Sequence, residues 1–392
     1  MNLMNNNMNA TELTKKLISF KTVSPEDNGV MEFVSGVLKE LNFEQILVKN
    51  FTDINEKAKD TLNLYASLFK EKRGKNLCFA GHVDVVHEGK EYLWKYNPFE
   101  AVIEDGVLYG RGACDMKAAI GCFLAAVKEF LEENKGFNEG NISFLLTGDE
   151  ESNAINGTQK MLKHIESLGI KIDDCIVGEP TSESTLGDTI KIGRRGSMAC
   201  NLSITGVMGH IAYPQFAKNP ITELAKVIVA LKAEKLDEGN EFFAPSNLEV
   251  VKILVENNAE NVIPESASCF FNIRFNNIHT SLKLYEKVNE IIKKTTDFNF
   301  KLSHSVSGES FINAKSNISN ILFSAVKEVC GLESNFSTSG GTSDARFIKN
   351  YCNVAELGML NKTAHKIDEN VSVSEIETLT KIYKNAISKY FL

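Results

Sequence analysis

The stretch Leu77-Cys78-Phe79-Ala80-Gly81-His82-Val83-Asp84 decides how this chain folds. The apolar run Leu77–Phe79 ends in a glycine, then in a histidine and an aspartate two positions apart. Side chains two apart on a strand point the same way, so His82 and Asp84 can meet at one strand end. A carboxylate beside an imidazole fixes the tautomer and orientation of a metal-binding histidine. On its own the pair reads also as a satisfied surface contact.

Outward from it, the apolar runs Ile142–Leu146 and Cys175–Val177 end in the same way, in polar or glycine residues. Between the first two runs, Met116–Leu131 is rich in Ala, Leu, Val and Phe and reads as a buried helix. Leu13, Leu17 and Ile18 fit a helical face, as do Val30, Phe33, Val34 and Val37. Strand, helix, strand, helix implies an α/β fold with a mostly parallel sheet. The pattern changes after Arg195. Strands are expected at Met198–Ile204, Leu248–Val255, Ser266–Phe275 and Phe298–Ser303, with helices at Ile221–Ala233 and Leu282–Ile292. That order, βαββαβ, is the ferredoxin-like plan and can close as a small domain. From about Phe311 the α/β character returns, ending in a helix from Ser374 to Tyr390. The expected organisation is therefore a large domain of residues 1–195 and 309–392, interrupted by an inserted domain of residues 196–308.

With 392 residues, 43% hydrophobic, the chain can bury such cores. Its net charge of −8 gives no basic field for nucleic acid, and an anionic ligand would need local arginines. No apolar run approaches the roughly 18 residues of a membrane span. The asparagine-rich opening, Met1–Ala10, lacks the basic and apolar parts of a secretory signal. The eight cysteines form no CxxC and sit mostly in apolar segments, so free thiols and a cytoplasmic location are expected.

Four more segments carry chemistry. In Gly110-Arg111-Gly112-Ala113-Cys114-Asp115-Met116-Lys117, Asp115 either caps the following helix or bridges two cations through its two oxygens. Thr147-Gly148-Asp149-Glu150-Glu151 sets three acids after a buried strand, costly unless cations or solvent compensate them. Adjacent residues cannot point to one atom, so Glu150 and Glu151 suit different tasks, one ligating metal and one handling protons. Gly178-Glu179-Pro180 supplies a further carboxylate after a strand, and His365 precedes the last helix. Each has a plainer reading as solvated loop or structural residue. Jointly, His82, Asp115, Glu151, Glu179 and His365 all adjoin strand-to-helix switches, where open α/β sheets place their sites. Two histidines and three carboxylates suit a pair of Zn²⁺ ions with one carboxylate shared, a known device for activating water.

The segments GHVDVV (81–86), GRGACDMK (110–117), GDEES (148–152), GEP (178–180) and AHKIDE (364–369) resemble the co-catalytic zinc aminoacylase and carboxypeptidase family. The likeness runs from about residue 10 to the C-terminus and includes IGRRGS (192–197), GVMGHIAYP (206–214), ENVIPESASCFFNIRF (260–275) and STSGGTSDARFI (337–348). His87, Ser152 and Glu260 depart from residues usual in that family. The resemblance implies two Zn²⁺ per subunit, with Co²⁺ an alternative at one site. It places His82, Asp115 and Glu179 on one ion, and Asp115, Glu151 and His365 on the other. It also implies that Asp84 orients His82 and that Glu150 is general base and acid. The inserted domain would form a homodimer and carry His210 to the partner's site. Arg194, Ser197, Tyr213, Asn261, Arg274 and Thr342 would bind a small N-succinyl amino acid, whose carboxylates need bidentate cationic partners. Another N-acyl-amino-acid amidohydrolase of the family, or a noncatalytic metal-binding dimer, remains an alternative.

Overall fold

A computed structural model describes residues 9–53, 58–313 and 316–392. Most of the asparagine-rich opening lies outside them. The chain divides into two compact units, one of residues 1–192, 313–337 and 343–392, the other of residues 193–312 and 338–342.

The first unit is built on an eight-stranded sheet. Its centre is parallel: the strand Asn76–His82 lies between Asn141–Thr147 and Asp174–Val177, and the last of these pairs with Asn353–Glu356. The central strands are buried along their whole length, as expected where helices cover both faces of a sheet. Helices Ala10–Ile18, Ala118–Glu133 and Val373–Phe391 pack together over Phe79, Phe123, Phe144 and Tyr383, whose rings meet in stacked and edge contacts. The helical faces read from the sequence are the buried ones: Leu13, Leu17 and Ile18 on one helix, Val30, Phe33, Val34 and Val37 on the next. The outer strands Gln45–Phe51 and Thr61–Ser67 join antiparallel, which the sequence pattern did not reveal.

The second unit holds a four-stranded antiparallel sheet ordered Asn247–Leu254, Ser266–Phe275, Gly196–Thr205, Asn299–Gly308. With helices Pro220–Ala233 and Ser281–Thr295 this is βαββαβ, the two middle positions held by the first and third of those four strands in chain order. Alternating residues Met198, Cys200, Leu202 and Ile204 face Leu224, Val227, Leu284 and Val288 in its core. The unit begins before residue 196 and runs past 308 because Gly193–Arg194 pairs with Phe311–Ile312. It also takes in residues 338–342, since Thr338 Oγ1 donates to Phe242 O and Arg194 Nη1 donates to Gly341 O at 3.0 Å. All eight cysteines are free thiols. Among the described residues no helix is long and apolar enough to cross a membrane.

Candidate metal centre

Parallel neighbours end on the same edge of a sheet, and the first unit uses that edge. His82 ends one central strand, Glu150 and Glu151 follow the strand Asn141–Thr147, and Glu179 follows Asp174–Val177. His82 is fully buried. Its Nδ1–H donates to the carbonyl oxygen of Asp84 at 2.9 Å, which leaves Nε2 pointing into the site. The Asp84 carboxylate lies farther from that ring, 3.8 Å from Nδ1. It accepts instead from the backbone amides of Glu150 at 3.2 Å and Glu151 at 3.0 Å. Asp84 thus meets His82 through its main chain and orients the acidic loop with its side chain.

Asp115 is not a helix cap. The helix begins at Ala118, and Asp115 sits before it with non-helical backbone angles, φ −122° and ψ 92°. Its two oxygens face opposite ways. Oδ1 lies 3.0 Å from His82 Nε2, and Oδ2 lies 3.3 Å from His365 Nε2. His365 Nε2 also stands 2.7 Å from Glu151 Oε1, and His82 Nε2 stands 3.8 Å from Glu179 Oε1. Donor atoms of His82, Asp115 and Glu179 form one group within 4.8 Å of one another, and those of Asp115, Glu151 and His365 form a second. Glu150 forms a third such group with His82 and Glu151.

The donor chemistry fits divalent cations. With His82 Nδ1–H committed to a carbonyl, Nε2 faces Asp115 Oδ1, and either a proton on Nε2 or a bound cation can join the two. Burial would lower the His82 pKa, but the hydrogen bond and charge of Asp115, with Glu179 and Asp84 beyond, raise it well above its ordinary value. Burial likewise opposes ionisation of Asp115, yet hydrogen bonds to His365 and His82 hold it well below the usual carboxylate range. Burial pushes Glu150 up to about 8, against the pull of the His82 charge, with Asp344 and Glu151 adding to the rise. Burial raises Asp84 to about 6. Three carboxylates and two imidazoles at such short range are a donor set that could hold divalent cations.

Three residues nearby escaped the sequence reading. Glu369 accepts from the backbone amides of Gly112, Cys114 and Asp115. Arg346 Nη1 lies 4.0 Å from Glu150 Oε1, and buried Asp344 accepts from Thr158 Oγ1 at 2.6 Å. All three fall inside the motifs AHKIDE and STSGGTSDARFI, but nothing local in those motifs distinguishes them from solvated charges.

The remaining site residues named from sequence belong to the second unit. Ser197 and Arg274 are direct cross-strand partners, and Arg194, buried, reaches the segment carrying Thr342. His210, Tyr213 and Asn261 gather elsewhere: the rings of His210 and Tyr213 are 5.7 Å apart, and Ile211 N donates to Asn261 O at 3.0 Å. Ser197 starts the ten-residue strand Gly196–Thr205, whereas the His210 ribbon follows its far end. At about 3.3 Å per residue the strand that separates them in the chain spans roughly 30 Å.

A mostly parallel sheet with one histidine at a central strand end, a second in a later turn and a carboxylate between them defines a class. The chain belongs to peptidase family M20/M25/M40, which it matches over residues 78–389. It is 47% identical over 382 residues to the succinyl-diaminopimelate desuccinylase of Ehrlichia ruminantium (strain Gardel), covering 97% of each chain. It is 48% identical over 375 residues to the enzyme of that name from Rickettsia rickettsii (strain Sheila Smith), covering 95% of this chain and 97% of that one. Among solved structures, the fold resembles the M20 family metallo-carboxypeptidase Sso-CP2 of Sulfolobus solfataricus, with a TM-score of 0.77 at 18% identity over 97% of this chain and 99% of that one. It also resembles YXEP of Bacillus subtilis, a dinuclear metal-binding M20 peptidase, with a TM-score of 0.67 at 11% identity over 98% of both chains.

Proposed function

We propose that this chain hydrolyses the succinyl amide of N-succinyl-LL-2,6-diaminopimelate, giving succinate and LL-2,6-diaminopimelate for diaminopimelate and lysine biosynthesis. The near full-length identity to desuccinylases supports the substrate. The observation that carries the chemistry is Asp115, whose two oxygens each face one histidine.

In this reading His82, Asp115 and Glu179 hold one Zn²⁺, and Asp115, Glu151 and His365 hold the other, with Co²⁺ able to replace zinc at one of them. When bound, the cation pair supplies a water acidified toward neutrality and a positive charge for the amide carbonyl oxygen. Glu150 takes the proton of the attacking water. As the C–N bond breaks it passes that proton to the leaving amine. Asp84 holds the Glu150 and Glu151 backbone in place through the two amide bonds described above. Arg194, Ser197, Arg274 and Thr342 bind the substrate's carboxylate groups, where a guanidinium fork gives two parallel hydrogen bonds.

His210, Tyr213 and Asn261 serve a partner subunit's substrate, and His210 donates to the developing oxyanion there. Two observations support this dimer. Ser197 and Arg274 pair at one end of the strand Gly196–Thr205, and the ribbon carrying His210 follows the other end. The edge strand Asn247–Leu254 also exposes Val251 (68%) and Ile253 (60%), and Val229 on helix Pro220–Ala233 is exposed as well. An unpaired apolar strand edge is a surface that a second copy can cover. A cytoplasmic location belongs to the same reading.

The deciding experiment compares kcat/KM on N-succinyl-LL-diaminopimelate and on N-acetylornithine, with metal content measured on the same preparation. Strong preference for the succinyl substrate by a zinc-loaded enzyme is expected. Equal or reversed preference would make the chain a different amidohydrolase.

A further inference from the structure

Among the buried carboxylates that the chemistry above leaves without a task, Glu369 makes the contacts nearest the shared carboxylate. Glu369 is fully buried and follows His365 closely in the same segment. Its Oε2 accepts from Arg111 Nη1 at 2.7 Å and from Gly112 N at 3.0 Å. Its Oε1 accepts from Cys114 N at 3.0 Å and Asp115 N at 3.1 Å. Its own main-chain oxygen accepts from Gly110 N at 2.9 Å. One residue thus binds the turn of residues 110–115 at five points. That turn precedes the regular helix and has irregular backbone angles at Asp115 and Met116, with Lys117 N donating to Gly112 O across it.

We infer that Glu369 is a positioning residue for the shared carboxylate: it ties the segment bearing His365 to the turn bearing Asp115 and so sets the spacing of the second cation group. The inference rests on the metal reading given above. The logic is that of an outer partner fixing a ligand. Asp115 and His365 come from segments far apart in the chain; the strand pair Asn370–Tyr109 and the Thr363–Cys114 contact bring those segments together, and Glu369 adds the hydrogen bonds that reach the backbone of Asp115 itself. A carboxylate suits the position because all four groups around its oxygens are donors, and an ionised carboxylate only accepts. The Arg111 guanidinium offsets its buried charge, and stands over the Trp94 ring at 5.1 Å. A glutamine there would turn an amide NH₂ against backbone N–H groups.

The test is Glu369→Gln in the full chain, stripped of metal and titrated with Co²⁺, followed by visible absorption, with kcat and KM on N-succinyl-LL-diaminopimelate. Cobalt affinity should weaken roughly 10- to 100-fold with a changed absorption band, and kcat should fall by a similar factor. KM should stay near its wild-type value, because substrate carboxylates are held elsewhere. Wild-type cobalt affinity and spectrum, even with a lower melting temperature, would assign Glu369 to folding alone and overturn the inference. If Glu369→Gln does not fold, Glu369→Asp supplies the result. It keeps the charge but shortens the reach, so weakened cobalt binding with native circular dichroism sustains the inference and unchanged binding overturns it. If the wild-type chain itself takes up no Co²⁺, the metal reading fails first and this inference falls with it.

Discussion

His82 Nε2 and Asp115 Oδ1 stand 3.0 Å apart in the buried floor of the site, though the two residues are remote in sequence. Asp115 also meets His365 through its other oxygen, which makes it the one member common to both cation groups.

Asp115→Asn should therefore cost both cations, whereas His365→Ala should cost only one. Elemental analysis after dialysis against low metal checks this. Retention of two ions by Asp115→Asn would show that its carboxylate is not shared.

Glu150 faces a different constraint. Its side chain lies near Arg346 and belongs to neither of the two groups that share Asp115. Glu150→Gln should lower kcat by about 10² to 10⁴-fold, the usual worth of positioned proton transfer, while metal content stays near wild type. Loss of metal together with activity would instead place Glu150 among the ligands.

Proton competition gives a pH signature. In the metal-free chain, hydrogen bonds to Asp115 and Glu151 raise His365 from 6.5 to about 10. Because the folded value lies above the unfolded one, the protonated ring contributes stability that is full below pH 6.5 and is lost as pH rises toward 10. Ligation needs the neutral ring, so metal uptake near pH 7 must release protons and tighten with rising pH. Adding Zn²⁺ to a weakly buffered, chelator-treated sample should acidify it. The melting temperature of that metal-free sample should fall between pH 6.5 and 10. Absence of proton release would contradict ligation by His365.

The proposed dimer predicts coupling between assembly and turnover. Val251→Glu puts a charge on the exposed edge strand and should shift the protein to monomer in analytical ultracentrifugation, with kcat falling because His210 no longer reaches a partner's substrate. A fully active monomer would remove His210 from the chemistry.

Much of the site was legible before the tertiary structure because the sheet makes local sequence do global work. Each of His82, Glu151 and Glu179 comes just after a short apolar run, and parallel strands in register deliver such residues to one edge. The helical periodicity at Leu13, Leu17 and Ile18 and the βαββαβ order after Arg195 follow from burial of one face, which side-chain spacing records directly. The antiparallel outer strands were not legible, since parallel and antiparallel edges draw on the same short apolar runs.

What sequence alone determined, then, is the set of candidate donor side chains, with His82 at the end of one central strand and Glu151 and Glu179 just after two others. Only the tertiary structure decided which atoms answer which. It showed that the Asp84 carbonyl, and not its carboxylate, meets His82 Nδ1 most closely. It showed that Glu369 closes the Asp115 turn across a separation of 254 residues. It also paired Arg274 with Ser197 in the four-stranded sheet and His210 with Val262 in a separate two-stranded ribbon. Periodicity reports which face a residue turns to the core, but contacts between distant segments depend on packing of the whole unit, and no local pattern encodes them.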